Sequence, residues 1–247
     1  MTVSWASISD RGNREVNEDY VLIHEQNCLL SAALADGLGG HGMGDTASRI
    51  AAAEAIRVLS SGGTLEDSFM AAETAVMKEQ GRLNVPNKMK TTLCLLQISG
   101  KKVQAGHIGD SRIYYFKNGR FVKRTLDHSI PQLLVNSGEI SEKEIRFHED
   151  RNMLTRVIGT EWNEPGYELE KPFLIHPTDL LGRKIRHALL LCTDGWWEYV
   201  GEEEMLKSLN NSATPEDWLG QMKKIVQENG RGRDMDNYSA VAVFCGI

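Results

Sequence analysis

The sequence predicts an α+β fold in which β-sheets pack against each other and the helices lie outside them. The main observation is the order of the apolar patterns, which reads strands, two helices, many strands, helices and a final strand. A second observation is that no internal repeat, low-complexity tract or Pro/Gly-rich linker divides the 247 residues. One domain is therefore expected over residues 1–247.

The first third of the chain is predicted to contain three strands and two helices. The expected elements are strands over 3–9, 20–25 and 28–36, with a turn at Gln26-Asn27, and helices over 45–60 and 65–83. Thr64 caps the second of these helices, with Asp67 at or beside the capping-box position.

The middle of the chain has the strongest β pattern and then changes character. Three short apolar strands are expected within 91–122, with turns at 99–101 between the first two and at 118–119 after the third, and the second of these turns is an Asn-Gly pair. From 127 to 166 the pattern is helical and polar, with Pro131 suited to a first helical turn. Because the apolar content is thin here, a mobile surface flap is expected at about 128–153.

The last third is predicted to alternate strands and helices. Strands are expected over 167–175, over 186–195 and from Tyr238 onward, and helices over 202–209 and 215–230. Thr214 and Pro215 fit the cap and the first position of the last helix. Trp196-Trp197 is interpreted as packing beneath a site, and His107 as a buried sheet residue.

Composition excludes several classes of function. With 34 acidic and 28 basic residues the net charge is −6, which argues against a nucleic-acid surface. The apolar runs are too short to cross a membrane, and no signal peptide opens the chain. The four cysteines form no Cys-x-x-Cys pair and are expected to be reduced and mostly buried. A cytoplasmic protein without nucleic-acid or membrane partners is therefore expected.

Acidic residues recur where apolar strands begin or end. The motifs are Glu18-Asp19, Asp36-Gly37, Asp110, Asp194-Gly195 and Asp236-Asn237. If these strand ends converge, the carboxylates repel each other unless cations lie between them, and oxygen ligands favour Mg²⁺ or Mn²⁺. A shared Asp between two ions would generate a metal-bound hydroxide, and Arg14 could bind a phosphate. The alternatives are that these residues only form turns, or that the glycines after Asp36 cradle a phosphate.

These motifs resemble those of the metal-dependent Ser/Thr protein phosphatases of type 2C, in their compact bacterial form. They occur in the order typical of that family and extend from about residue 3 to 245. The matching motifs are Arg14-x-x-Asn17-Glu18-Asp19, Asp36-Gly37-x-Gly39-Gly40-His41, Thr91-Thr92, Gly109-Asp110-Ser111-Arg112, Asp127-His128, Thr155-Arg156-x-x-Gly159, Thr193-Asp194-Gly195 and Asp236-Asn237.

The resemblance implies a central β-sandwich of two antiparallel sheets flanked by helix pairs, with a centre for two Mn²⁺ or Mg²⁺ ions at one end. It implies that Asp36 bridges both ions and that the Gly37 carbonyl binds one of them. Asp194 and Asp236 would complete one ion site, and Asp19 would serve the other.

The resemblance also implies that Asp110, with Asp194, holds a weaker third ion, and that Arg14 binds the substrate phosphate. A metal-bridging water would attack phosphorus directly. The expected function is a protein serine/threonine phosphatase that acts as a monomer on phosphorylated Ser/Thr proteins and reverses the action of a cognate Ser/Thr kinase. Two other functions remain open, namely an inactive relative used as a binding module and a metal-dependent hydrolase of small phosphoesters.

Three positions depart from the family pattern. Leu38 stands where some relatives have a His proposed as the general acid, and Lys90 stands where bacterial relatives usually have Gly. The segment 174–190 is longer than the usual loop into the strand before Asp194.

Overall fold

Two antiparallel sheets form the centre of the computed structural model, which describes residues 2–246 and leaves the side chain of His41 outside the description. One sheet has the strand order β1-β11-β10-β6-β7, and the other has the order β2-β3-β4-β5-β8 with β9 also paired to β5. The strands are β1 (Val3–Asp10), β2 (Asp19–Gln26), β3 (Leu29–Asp36), β4 (Leu93–Ser99), β5 (Lys102–Ile108), β6 (Arg112–Lys117), β7 (Arg120–Arg124), β8 (Glu168–Leu169), β9 (Phe173–Leu174), β10 (His187–Cys192) and β11 (Tyr238–Cys245).

Helices cover the outer face of each sheet. They are α1 (Gly44–Ser60), α2 (Leu65–Leu83), α3 (Ile130–Ser137), α4 (Asp194–Trp197), α5 (Glu202–Asn210) and α6 (Pro215–Asn229), with short 3₁₀ turns at Gly39–His41 and Glu142–Phe147. The pair α1–α2 packs on the six-stranded sheet, and α5–α6 packs on the five-stranded sheet. The predicted α+β sandwich with helices on both sides is confirmed.

The central strands are buried on both faces, which explains their continuous apolar runs. In β11, Val241 and Val243 enter the core between the sheets, whereas Ala240 and Ala242 face the helices. In β3, Ala33 and Ala35 likewise face α1, whose buried side is also rich in alanine. Small side chains at this contact let the helix lie close to the sheet.

The predicted caps form. The Thr64 hydroxyl accepts a hydrogen bond from the Asp67 amide, and the Asp67 carboxylate accepts one from the Thr64 amide, so the capping box is complete. Thr214 caps α6 with Pro215 in its first turn, and Ser129 caps α3 with Pro131 in its first turn. The hairpin of β2 and β3 also forms, with Asn27 at a φ of 56°.

Some local predictions were wrong. The single strand expected over 167–175 is two short strands, β8 and β9, separated at Pro172, which has no N–H for the ladder. The turn that follows Thr193 is a short helix, α4, which the sequence did not predict. The prediction that the cysteines are reduced and mostly buried is confirmed, because all four are free and three of them are buried, with Cys28 exposed.

The segment 128–153 lies mostly on the surface, but Ile145 within it is buried in the core under the five-stranded sheet. This side chain ties the segment to the body of the molecule. Within residues 2–246, no helix combines the length and apolar character needed to span a membrane.

Candidate metal centre

The structure brings the predicted acidic residues to one end of the sandwich. A cavity of about 590 Å³ opens there, and it is lined by Arg14, Asp36, Gly37, Asp110, Asp194 and Asp236, among others. Asp19 lies behind the cavity wall, where it is 6% exposed and paired in register with Asp36 across β2 and β3. All seven residues singled out from the sequence therefore meet in one place, and their individual roles stay predictions.

The backbone of Asp36 is fixed by the threonine pair that follows it in the motif order. The Asp36 carbonyl oxygen accepts hydrogen bonds from the Thr92 amide at 2.9 Å and from the Thr91 hydroxyl at 2.8 Å. The Asp36 amide donates to the Thr92 hydroxyl at 3.0 Å. Because the main chain is held on both sides, the carboxylate at this strand end has a defined position.

Two of the glycines after Asp36, Gly37 and Gly39, lie where a larger residue would not fit. A Cβ at Gly39 would lie 2.0 Å from the Glu18 Oε2 atom, and a Cβ at Gly37 would lie 2.2 Å from the Gly44 carbonyl oxygen. The Glu18 carboxylate accepts hydrogen bonds from the Gly44 and Asp45 amides at the start of α1. This turn therefore encloses the Glu18 carboxylate.

Asp194 and Asp236 are placed by the inner strands β10 and β11. The Asp194 Oδ1 atom accepts a hydrogen bond from the Gly195 amide at 2.6 Å, at the start of α4. The Asp236 Oδ2 atom accepts one from the Arg14 Nη2 atom at 3.1 Å. Thr193, just before Asp194, donates from its hydroxyl to the Asp19 Oδ2 atom at 3.0 Å, which joins the two sheets at this end.

Asp110 lies in the turn between β5 and β6, and the turn is held by two aromatic residues. The Trp197 Nε1–H group donates to the Asp110 carbonyl oxygen at 3.0 Å. The Gly109 amide donates to the His128 Nδ1 atom at 3.2 Å, and the His128 amide donates to the Gly109 carbonyl oxygen at 2.9 Å. The Asp110 side chain is consequently fixed next to Asp194 by main-chain contacts.

The electrostatics of the centre indicate a site made for cations. Burial, together with the repulsion from Asp194 and Asp236, raises the pKa of Asp19 to about 8. Burial and the neighbouring carboxylates also raise the pKa values of Asp36, Asp110 and Asp194. The Asp19 Oδ1 atom is buried with no hydrogen-bond partner within the described residues. Buried carboxylates with an unused oxygen fit hard divalent cations.

Asn237 was not singled out as a functional residue, although it follows Asp236 in the sequence motif. Its Oδ1 atom accepts a hydrogen bond from the Glu18 amide at 2.7 Å, and its Nδ2 atom donates to the carbonyl oxygens of Arg11 and Val16 at 2.9 and 3.0 Å. One side chain thus fixes the whole loop that presents Arg14. The Asp-Asn pair in the sequence was the available signal.

A second group of candidate ligands lies near this centre and fits a cation poorly. The candidate ligand atoms, one from each residue, lie within 4.8 Å of one another in His107, His128 and Glu168. His128 accepts the Gly109 amide at Nδ1, so its remaining proton is on Nε2 and that nitrogen has no free lone pair. Arg156 also lies 3.5 Å from the Glu168 Oε1 atom. The stacked pair His107–His128, with ring centroids 4.6 Å apart, is therefore interpreted as structural.

Comparison with known proteins gives a consistent family. The model of the family described as Protein phosphatase 2C matches residues 9–238. The serine/threonine phosphatase stp of Listeria welshimeri is 32% identical over 213 residues, covering 80% of this chain and 79% of that relative. The serine/threonine protein phosphatase PstP of Mycobacterium tuberculosis is 31% identical over 250 residues and covers 98% of this chain. The chain spans only 45% of the length of PstP.

Solved structures agree with the fold. The serine/threonine phosphatase Stp1 from Staphylococcus aureus has a TM-score of 0.85 at 25% identity, covering 98% of this chain and 95% of that structure. The catalytic domain of PstP in complex with two manganese ions has a TM-score of 0.78 at 26% identity, covering 98% of this chain and 97% of that structure.

Proposed function

Because this chain belongs to the protein phosphatase 2C family, we propose that it is a Mn²⁺- or Mg²⁺-dependent protein serine/threonine phosphatase. The observation that carries the proposal is the convergence of five carboxylates, one of them with a buried unpartnered oxygen in the described residues, beside the half-exposed guanidinium of Arg14. The proposed substrates are phosphorylated Ser/Thr proteins, and the proposed context is a cytoplasmic monomer that opposes a Ser/Thr kinase.

The proposal includes a place for each ion. Asp36 would be shared by two ions, with the Gly37 carbonyl on one of them, and Asp194 with Asp236 would complete one site. Asp19, whose Oδ1 atom is unused, would serve the other site. Asp110 would hold a weaker third ion together with Asp194. When bound, such ions stabilise the charge that develops on the phosphoryl oxygens and acidify a coordinated water.

Arg14 is suited to holding the phosphate. Its Nη2 atom bonds Asp236 at 3.1 Å, and the guanidinium makes no other hydrogen bond to the described residues. The remaining N–H groups point from a side chain that is 48% exposed on the cavity rim, so they are available as a fork for phosphoryl oxygens. The bond to Asp236 orients this fork toward the carboxylates.

The leaving oxygen takes its proton from solvent. Leu38 lines the cavity at the position where some relatives have a His, and a leucine side chain has no proton to give. Exposed residues at the same rim, such as Gly39, Gly40 and Asn152, leave the cavity open to water. Substrates with poor leaving groups are therefore the more demanding ones for this enzyme.

The test is hydrolysis of p-nitrophenyl phosphate and of phosphopeptides with Mn²⁺ present. Asp36→Asn and Asp194→Asn are expected to lower kcat/KM by about 10³-fold or more, because charge stabilisation at the phosphoryl group is lost. Asp234→Asn, an exposed acid in the loop before Asp236 that does not line the cavity, is the matched control and keeps wild-type activity.

Three outcomes would overturn the proposal. Intact activity in Asp36→Asn would exclude the assigned centre. A wild-type protein that binds Mn²⁺ yet hydrolyses neither substrate would favour a binding module. Turnover of small phosphoesters with much higher kcat/KM than of phosphopeptides would favour a metabolite phosphatase.

A further inference from the structure

The cavity of the acidic centre has an apolar wall that neither the ions nor a phosphate can use. The wall consists of Val16, Leu38 and Leu154. We propose that this apolar wall is a subsite for the residue next to the phosphorylated Ser or Thr, so that the enzyme selects phosphopeptides with an apolar residue at one flanking position. This inference rests on the proposed function and specifies its substrate class.

Each residue of the apolar wall lies two positions after a polar residue of the same cavity. Val16 follows Arg14, Leu38 follows Asp36 and Leu154 follows Asn152. Each of the three loops therefore contributes both a polar and an apolar residue to the lining of this cavity.

Hydrogen bonds to the main chain of its residues hold the apolar wall in place. The Val16 carbonyl oxygen accepts from the Asn237 Nδ2 atom at 3.0 Å, and the Leu38 amide donates to the Lys90 carbonyl oxygen at 2.9 Å. Leu154 forms a β-bridge with Ser129. A wall with a fixed backbone needs little reordering when a ligand covers it, which favours selective binding.

The cavity has room for more than a phosphate. Its volume of about 590 Å³ lies in the range of sites that enclose drug-sized ligands. A phosphoryl group is polar on every side and gains nothing from contact with Val16, which is 56% exposed. An apolar side chain of the substrate would instead remove water from the wall and gain the free energy of that burial. Asn152 has no side-chain hydrogen bond within the described part of the chain, so its amide is free to bind the peptide backbone.

The test compares phosphopeptides that differ only in one residue beside the phosphosite, Leu against Ser, on either side. Wild type with Mn²⁺ is expected to prefer the Leu-flanked peptide by about 10-fold in kcat/KM, mainly through KM. Leu154→Ser and Val16→Ser are each expected to reduce this ratio to about threefold or less. The readout is the ratio of the kcat/KM values for the Leu-flanked and Ser-flanked peptides, because a loss of activity that affects both peptides equally leaves this ratio unchanged.

Two exposed apolar residues away from the cavity give matched controls. Leu133→Ser, on α3, and Val122→Ser, on β7, replace side chains that are 53% and 48% exposed and do not line the cavity. Both are expected to keep the wild-type ratio. A control that loses the ratio would show an indirect effect and overturn the assignment to the wall.

Other results separate this inference from the proposed function. If wild type hydrolyses p-nitrophenyl phosphate but shows no flank preference, the subsite is excluded while the phosphatase assignment stands. If nothing is hydrolysed, the proposed function fails first. If Leu154→Ser instead removes a preference for phosphothreonine over phosphoserine at constant flanks, the wall binds the threonine methyl group and the flank proposal is overturned.

Discussion

Two groups of buried carboxylates in this molecule are neutralised in opposite ways. Asp127, whose side chain is 1% exposed, accepts hydrogen bonds from the Arg112 Nε and Nη2 atoms at 2.8 and 2.6 Å. The Arg112 guanidinium lies 3.6 Å from the centroid of the Trp197 ring. Within the described residues the Asp19 Oδ1 atom has no hydrogen-bond partner, and Asp19 faces further carboxylates at Asp36 and Asp194. The Asp127 carboxylate is paired within the chain, whereas the Asp19 Oδ1 atom has no partner among the described residues.

This difference distinguishes a structural ion pair, Arg112–Asp127, from a candidate metal centre. A buried ion pair with all its donors matched has a single arrangement, although it adds little net stability. In the absence of metal the carboxylates of the centre repel each other. This repulsion favours strong binding of divalent ions. Trp197 contacts both groups, because its ring lies against Arg112 and its Nε1–H group donates to the Asp110 carbonyl oxygen.

The largest effect is expected when the paired group is broken. Arg112→Ala leaves Asp127 buried without its main partner and should lower the free energy of unfolding by about 3–5 kcal/mol. The measurement is urea denaturation of the metal-free protein. Arg120→Ala, an exposed arginine on β7, is the control and should change stability little. A loss below 1 kcal/mol for Arg112→Ala would contradict the role given to this pair.

The open group should respond to metal instead. Mn²⁺ at 100 times its dissociation constant is expected to raise the free energy of unfolding of wild type by about 2.7 kcal/mol. Without metal, Asp36→Asn should unfold at a higher temperature than wild type, because the repulsion at the centre is reduced. With Mn²⁺ the order should reverse.

Thermal unfolding in EDTA and in Mn²⁺ measures both states. Asp234→Asn should follow wild type in each buffer. Equal stabilisation of Asp36→Asn and wild type by Mn²⁺ would place the ions elsewhere.

The pH dependence of stability is a further test of the carboxylate centre. The pKa of Asp19 is about 8 in the folded, metal-free protein and near 3.8 for an ordinary carboxyl group, so the folded state binds a proton that the unfolded state releases. Stability of the metal-free protein should therefore fall as pH rises from about 4 to 8. Urea denaturation across this range in EDTA measures the fall, and saturating Mn²⁺ should remove most of it. Identical pH profiles in both buffers would contradict the assignment.

Much of this centre could be predicted from the sequence because its carboxylates stand at the ends of apolar strands. Asp36, Asp194 and Asp236 each adjoin a run whose burial on both faces is evident from composition alone. Antiparallel sheets then bring those ends to one side of the sandwich. Their position follows from local patterns plus the fold class, both of which the sequence contains.

What the sequence could not provide are contacts between distant segments. Asn237 binds the Glu18 amide across 219 positions, and nothing local in either residue indicates the other. The glycine turn could equally serve a phosphate or a carboxylate, and the choice depends on Glu18 arriving from β2. The stacking of His107 on His128 depends in the same way on pairing between a strand and a loop.

The smallest expected effect tests the link between the two groups. Trp197→Phe keeps an aromatic ring under Arg112 but removes the Nε1–H donor to the Asp110 carbonyl oxygen. Since one buried hydrogen bond is lost and the cation–π contact weakens, stability should fall by about 1–2 kcal/mol. Because the Asp110 turn loses a contact, Mn²⁺ titration by calorimetry should show weaker binding of the weakest ion while the tighter ions are unchanged. Trp218→Phe replaces a buried tryptophan of α6 whose Nε1–H donates to the carbonyl oxygen of Met205 on α5, and it should lose similar stability without that change in Mn²⁺ binding. If both variants bind Mn²⁺ alike, the paired group does not position the open one, and the two are independent features of the fold.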